Sequence, residues 1–196
     1  MTILDLFCPL TEKKLILTDS KLFVKTGLDS FLPSITVCLN YHNPVVSSTI
    51  LSAKTGQWAL SSIMTNWMLR SLQDFTFNSG TLITCVPADP YRELIRGYHL
   101  PRLLAKKIAS HYDLPFAEII RKPFTTKAQG KLNRQQRLVN LIGKFELDDS
   151  YELSSFENII VIDDLATTGS TLSESAKTIL NIYPNIKITA IAAASN

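Results

Sequence analysis

Fifteen residues near the end of the chain, Asn158-Ile159-Ile160-Val161-Ile162-Asp163-Asp164-Leu165-Ala166-Thr167-Thr168-Gly169-Ser170-Thr171-Leu172, constrain its fold more than any other stretch. Residues 158 to 162 form an unbroken, β-branched run of the kind seen in a parallel strand buried on both faces. Two acidic residues close the run, and a loop of small residues follows. From Thr171 onward, Leu172, Ala176, Ile179 and Leu180 recur at helical spacing, so the loop joins the carboxyl end of a strand to the amino end of a helix. In α/β sheets that junction is where ligands bind.

The loop chemistry suits a phosphate. Over Ala166, Thr167, Thr168, Gly169, Ser170 and Thr171 it offers four hydroxyls, a glycine that allows close backbone approach, and the unpaired N–H groups of a helix start. Asp163 and Asp164 would repel a phosphate at contact distance and must face another part of the ligand. A sugar cis-diol fits, since carboxylates accept O–H donors and can offset positive charge developing on a sugar ring. Strand, acidic pair and loop together resemble the 5-phosphoribosyl 1-pyrophosphate (PRPP) motif of type I phosphoribosyltransferases. A Walker A loop is excluded, because G-x-x-x-x-G-K-[ST] is absent. The same residues also suit an acidic turn and a well-capped helix with no ligand.

A length of 196 residues accommodates one α/β domain with an appendage. No segment reaches the roughly 18 uninterrupted apolar residues of a membrane span, and the amino terminus lacks a basic start with an apolar core, so no membrane insertion and a cytoplasmic location are expected. Cys8, Cys38 and Cys85 are widely spaced, without a C-x-x-C or a histidine cluster, which disfavours structural zinc and a disulfide framework. The net charge of +3 hides an asymmetry: between Arg92 and Lys144 lie 12 Lys or Arg against three acids. Such a basic middle suits pyrophosphate, nucleic acid or no ligand at all.

Short apolar runs over residues 1 to 40 read as strands of a small amino-terminal appendage, bounded at residue 44. Residues 45 to 77 read as helical, with Val46, Ile50, Leu51, Trp58, Met64, Trp67, Met68 and Leu72 on a broad apolar face broken near Gly56. Thr81 to Val86 is a strand ended by Pro87-Ala88-Asp89-Pro90, and a helix follows over about Pro101 to Tyr112. Phe116 to Ile120 and Leu141 to Leu147 read as further strands, and Ile186 to Ala194 as the last. Between them, residues 122 to 140 are basic and lack an apolar period, and read as a hood over the ribose-phosphate site.

Several stretches resemble the ComF family, the competence-associated branch of phosphoribosyltransferase-like proteins. The first-strand signature is matched by Val86-Pro87, Pro90 and Arg96-Gly97-Tyr98; the hood pattern by Thr126, Gln129, Leu132, Arg134, Arg137, Asn140, Gly143 and Phe145; and the D-D-x-x-T-T-G-x-T-L core by Asp163 to Leu172. The resemblance covers about residues 81 to 194. It implies a type I phosphoribosyltransferase-like α/β fold, with a mostly parallel central sheet, helices on both faces, and the strand at 141 to 147 antiparallel. As site residues it implies Asp163 and Asp164 at the ribose hydroxyls and residues 166 to 171 at the 5-phosphate. Ala88, Asp89, Arg96, Arg134 and Arg137 are its pyrophosphate and hood candidates. It implies Mg²⁺ carried by PRPP near the acidic pair rather than by the protein alone.

Three departures qualify the implication. Cys8-Pro9-Leu10 is followed by Thr11, so the zinc module common in the family is lost. Asp89 stands where a histidine is usual, and a carboxylate there opposes pyrophosphate unless Mg²⁺ or basic residues compensate. Thr167 replaces the aspartate of purine-salvage members, which disfavours 6-oxopurine acceptors. Two function classes follow: a Mg²⁺-dependent phosphoribosyltransferase linked to DNA uptake, or a non-catalytic protein of that machinery that senses PRPP or binds single-stranded DNA or a protein partner.

Overall fold

The computed structural model describes residues 22–24, 32, 35–123 and 145–195. Its centre is a five-stranded sheet built from β1 (Leu22–Val24), β2 (Ile35–Asn40), β3 (Thr81–Cys85), β6 (Asn158–Ala166) and β7 (Lys187–Ser195). The spatial order is β1-β2-β7-β6-β3. The pairings β2–β7, β7–β6 and β6–β3 are parallel, and only the edge pair β1–β2 is antiparallel. Two shorter strands, β4 (Ile120–Arg121) and β5 (Glu146–Leu147), pair antiparallel in a separate ribbon.

Five helices, α1 (Pro44–Lys54), α2 (Ser61–Ser71), α3 (Pro90–Arg96), α4 (Leu100–His111) and α5 (Ser170–Leu180), account for the remaining regular structure among the described residues, with a 3₁₀ turn at Trp58–Leu60. The sheet is covered on both sides, and β6 shows how. Ile160 and Ile162 pack with Val46, Ile50, Met64, Met68, Leu104 and Ile108 of α1, α2 and α4. Ile159 and Val161 point the other way, into Leu172, Ala176 and Ile179 of α5. Successive strand side chains alternate in direction, so a run with apolar neighbours on both faces must be apolar at every position. The expected mostly parallel α/β sheet with helices on both faces is thus observed.

Several boundaries differ from those read in the sequence. The strand at 158 continues past Ile162 to Ala166, because Asp163, Leu165 and Ala166 stay in register with Ala192, Ala194 and Ser195 of β7. Ile35–Asn40, expected in an appendage ending at residue 44, lies inside the main sheet beside β7. Its burial on both faces draws it in: Ile35 and Val37 join one core cluster, Cys38 and Leu39 the other. The strand expected over Phe116 to Ile120 contracts to one parallel bridge between Ile83 and Phe116 before β4 begins. That bridge consists of Ile83 N donating to the Pro115 carbonyl at 2.9 Å and Ala117 N donating to the Ile83 carbonyl at 3.1 Å.

Leu51 and Trp58, expected on a buried helical face, are 61% and 59% exposed. The break at Gly56, whose φ is +129°, and the 3₁₀ turn re-phase the chain between α1 and α2, so one stripe does not run through both. The antiparallel strand expected over 141 to 147 is described only at Glu146–Leu147, where it pairs with β4. Residues 1 to 21, most of the hood, and Cys8 and Thr11 of the expected zinc-less module lie outside the described residues.

Candidate functional site

Along β6, Asp163 has the parity of Ile159 and Val161, and Asp164 that of Ile160 and Ile162, yet at the carboxyl end of the strand both carboxylates line one cleft. Both are buried, 7% and 8% exposed. Asp164 therefore belongs to the face covered by α1, and the last residue of that helix meets it: Lys54 Nζ lies 2.8 Å from Asp164 Oδ1. Asp163 has no such cation among the described ion pairs; its Oδ1 accepts the backbone N–H of Asp164 at 2.7 Å. Burial, followed by the charge of Asp164, pushes the Asp163 carboxyl up to about 7, with Lys54 opposing.

One cleft of about 180 Å³ brings the pair together with residues from other elements: Lys54, Asp89, Arg92, Arg96, Tyr98 and His99 all line it. Of the sequence candidates, Asp163, Asp164, Asp89 and Arg96 thus share a wall. Ala88 is half-buried beside it. Arg134 and Arg137 lie outside the described residues.

The candidate phosphate loop continues from the same strand end but does not line this cleft. Ala166 is its buried last strand residue, Thr167 is exposed, and Thr168, Ser170 and Thr171 are half-buried. Gly169 adopts φ +72° and caps α5, a left-handed conformation that favours glycine. No side chain caps that helix end. Thr168 Oγ1 donates to Ser170 Oγ at 2.9 Å, and the Ser170 N–H approaches Thr168 Oγ1 at 3.4 Å.

Asp89, whose charge would oppose a pyrophosphate, is already engaged. It caps α3 by accepting the Arg92 N–H at 3.2 Å, and Lys122 Nζ stands 2.6 Å from its Oδ2. Burial works against the ionised carboxyl, but these two hydrogen bonds outweigh it and hold Asp89 below the usual carboxylate range. The carboxylate is thus internally compensated by a basic residue. Arg102 of α4 pairs with Glu93 of α3 and with Glu118, bracing the short helix from a second side.

Sequence reading missed α3 and the cleft residues Lys54 and Arg92; Tyr98 entered only within the Arg96-Gly97-Tyr98 signature, and His99 only where His99-Leu100 replaces the family's Asn-Gln, neither with a role in the site. The helix had a start signal in Asp89-Pro90, an N-cap followed by proline at N1. It has no buried residue, so no apolar stripe announced it; Tyr91, Leu94 and Ile95 point outward and are 67%, 80% and 67% exposed. His99 is pushed down to about 4, first by burial and then by the charge of Arg102, and its Nδ1 has no hydrogen-bond partner. Lys54 carried only the signal of a helix-terminal lysine before Thr55-Gly56.

Among the described residues, no group of three His, Cys, Asp or Glu side chains is placed to hold a metal ion, and no helix is long and apolar enough to cross a membrane. Cys38 and Cys85 are free and buried, and burial raises both thiols, Cys38 to about 12.

No family model matches the chain. It is 32% identical over 93 residues to Competence protein F of Haemophilus influenzae, a match covering 47% of this chain and 41% of that protein. The similarity bears out the resemblance to the ComF family read from the motifs, and with it a competence-related relative. The matched stretch is less than half the length of that relative.

Proposed function

We propose that the protein binds PRPP, or a related ribose 5-phosphate, together with Mg²⁺, and that it serves DNA uptake as a ComF-like, phosphoribosyltransferase-related protein. One observation carries the reading: a buried acidic pair at the carboxyl end of a central parallel strand shares a cleft with Arg92 and Arg96 and is followed directly by a hydroxyl-rich turn into a helix start. The first half of that arrangement suits a sugar diol and the second a phosphate, as the position at the sheet's carboxyl edge suits a ligand.

On this reading Asp163 and Asp164 accept the ribose hydroxyls, the Thr167–Thr171 turn takes the 5-phosphate, and Arg92 and Arg96 face the pyrophosphate. The donor set fits a cation shared with the ligand better than one held by the protein, since two carboxylates are available and one already pairs with Lys54. Bound through pyrophosphate oxygens, Mg²⁺ would neutralise charge on the leaving group. On the enzymatic form of this reading, turnover is displacement at the anomeric carbon through an oxocarbenium-like state, with the buried carboxylates offsetting the charge on the ring.

A second reading, a non-catalytic partner-binding protein of the same machinery, draws on the outward apolar residues Tyr91, Leu94 and Ile95 at i, i+3 and i+4 of α3. Single-stranded DNA is the remaining alternative ligand. Calorimetry with PRPP and Mg²⁺ tests the first reading, followed by a pyrophosphate-release assay over nucleobases. Single-stranded DNA titrated over a range of salt tests the DNA alternative, because phosphate neutralisation imposes a steep salt slope. DNA binding with such a slope, and no PRPP binding, overturns the proposal.

A further inference from the structure

Lys54 belongs to no motif that pointed to the site, yet it is built into it. Its ammonium reaches Asp164 across the cleft, and its side chain is only 26% exposed. A helix carboxyl terminus favours a cation, and Lys54 is the last residue of α1. The turn that follows is fixed from the far side of the cleft. The Tyr98 hydroxyl donates to the carbonyl of Ala53 and accepts the N–H of Gly56 at 3.0 Å, clasping the residues on either side of Lys54. Thr55 adds a hydrogen bond from Oγ1 to Leu51 O at 3.0 Å.

An ammonium has three donors, and Asp164 takes one. Lys54 also lines the same cleft as Arg92 and Arg96, so it stands where carboxylate and arginine walls meet. We infer that Lys54 is a specificity-determining residue, whose ammonium is shared between Asp164 and an anionic group on the anomeric carbon of the ligand. This rests on the ribose-phosphate reading above and deepens it: the site selects a ribose bearing pyrophosphate at C1 over the same sugar with a free anomeric hydroxyl. Ribose 5-phosphate offers Lys54 no anion there. Tyr98 acts as a positioning residue, through the turn that carries Lys54.

The test compares PRPP, ribose 5-phosphate and inorganic pyrophosphate, each with Mg²⁺, by calorimetry on the parent, Lys54→Gln, Lys54→Arg and Tyr98→Phe. Lys54→Gln is expected to weaken PRPP and pyrophosphate at least about tenfold, as loss of one charge-assisted contact implies, while ribose 5-phosphate changes by no more than about twofold. Lys54→Arg, which keeps the charge, is expected to retain most of the PRPP affinity. Tyr98→Phe leaves Lys54 in place but frees its turn, and is expected to show the same ligand-selective loss in smaller measure, even if Lys54→Gln fails to fold. Equal loss for PRPP and ribose 5-phosphate, or no loss for pyrophosphate, overturns the inference and leaves the ribose-phosphate reading intact. A folded parent that binds none of the three overturns both.

Discussion

Lys122 Nζ stands 2.6 Å from Asp89 Oδ2, so a carboxylate on the cleft wall meets its cation inside the protein. The partnership removes the objection that Asp89 raises against an anionic ligand. Lys122→Met is accordingly expected to weaken PRPP binding, and Asp89→Asn in the same chain to recover it, because the second change removes the charge that the first left uncompensated. The pair is partly exposed, so a few-fold change is expected rather than a large one. The Asp89 carboxyl is held below its ordinary value. Its pairing is therefore intact above the usual carboxylate range and is lost as pH falls through the depressed folded value. The single-variant effect should fade in acid; an effect that grows there contradicts the assignment.

His99 and Asp163 give a second prediction, because they line one cleft and are shifted in opposite directions. Burial and then Arg102 lower His99 from 6.5 to about 4, while burial and then Asp164 raise Asp163 from 3.8 to about 7. Between those limits the unfolded chain holds a proton on His99 that the folded chain lacks, so this residue makes stability rise with pH. Over nearly the same interval the folded chain holds a proton on Asp163 that the unfolded chain lacks, and stability falls with pH. The two slopes oppose each other between about 4 and 6.5. The unfolding stability of His99→Gln should therefore decline as pH rises from 4 to 7, and that of Asp163→Asn as pH drops from 6.5 to 4, as denaturant midpoints followed over pH would read. Variants whose pH profiles both parallel that of the parent would refute the account.

Gly169 offers a test of the turn. At φ +72° a side chain is strained, so Gly169→Ala should cost about 1–2 kcal/mol in chemical unfolding and should loosen phosphate-bearing ligands as the turn shifts. An alanine variant as stable as the parent, with unchanged PRPP affinity, shows that the turn tolerates other geometries.

The core prediction is more ordinary. Ile160 and Ile162 are fully buried on the α1, α2 and α4 face. Ile160→Ala should lower unfolding stability by about 2–5 kcal/mol through lost transfer energy and a residual cavity. A loss under about 1 kcal/mol, after the well-packed-core expectation, would mean this face collapses easily.

The binding strand and its turn were legible because their signals are local. An unbroken apolar run, an acidic pair and a glycine before a periodic helix each follow from the residues themselves, and β6, Gly169 and α5 are found where they point. Lys54 was not legible as a site residue, and Lys122 entered only as the first residue of the expected hood, since nothing near either one in sequence says which carboxylate it will meet; the placement of α1 and β4 decides that. The α3 helix escaped for a different reason. Helical periodicity is visible when one face is buried, and α3 buries no residue. The β2 strand was misassigned to an appendage because a parallel partner at the far end of the chain, β7, leaves no nearby turn signal.

The central claim is that Asp163 and Asp164 form the ribose end of a PRPP site. Calorimetry with PRPP and Mg²⁺, on the parent and on Asp163→Asn with Asp164→Asn, tests it most directly. The parent should bind, and the folded double variant should bind at least about tenfold more weakly, because two charge-assisted contacts at roughly 1.5–3 kcal/mol each are lost. A folded double variant that binds PRPP as tightly as the parent would contradict the assignment.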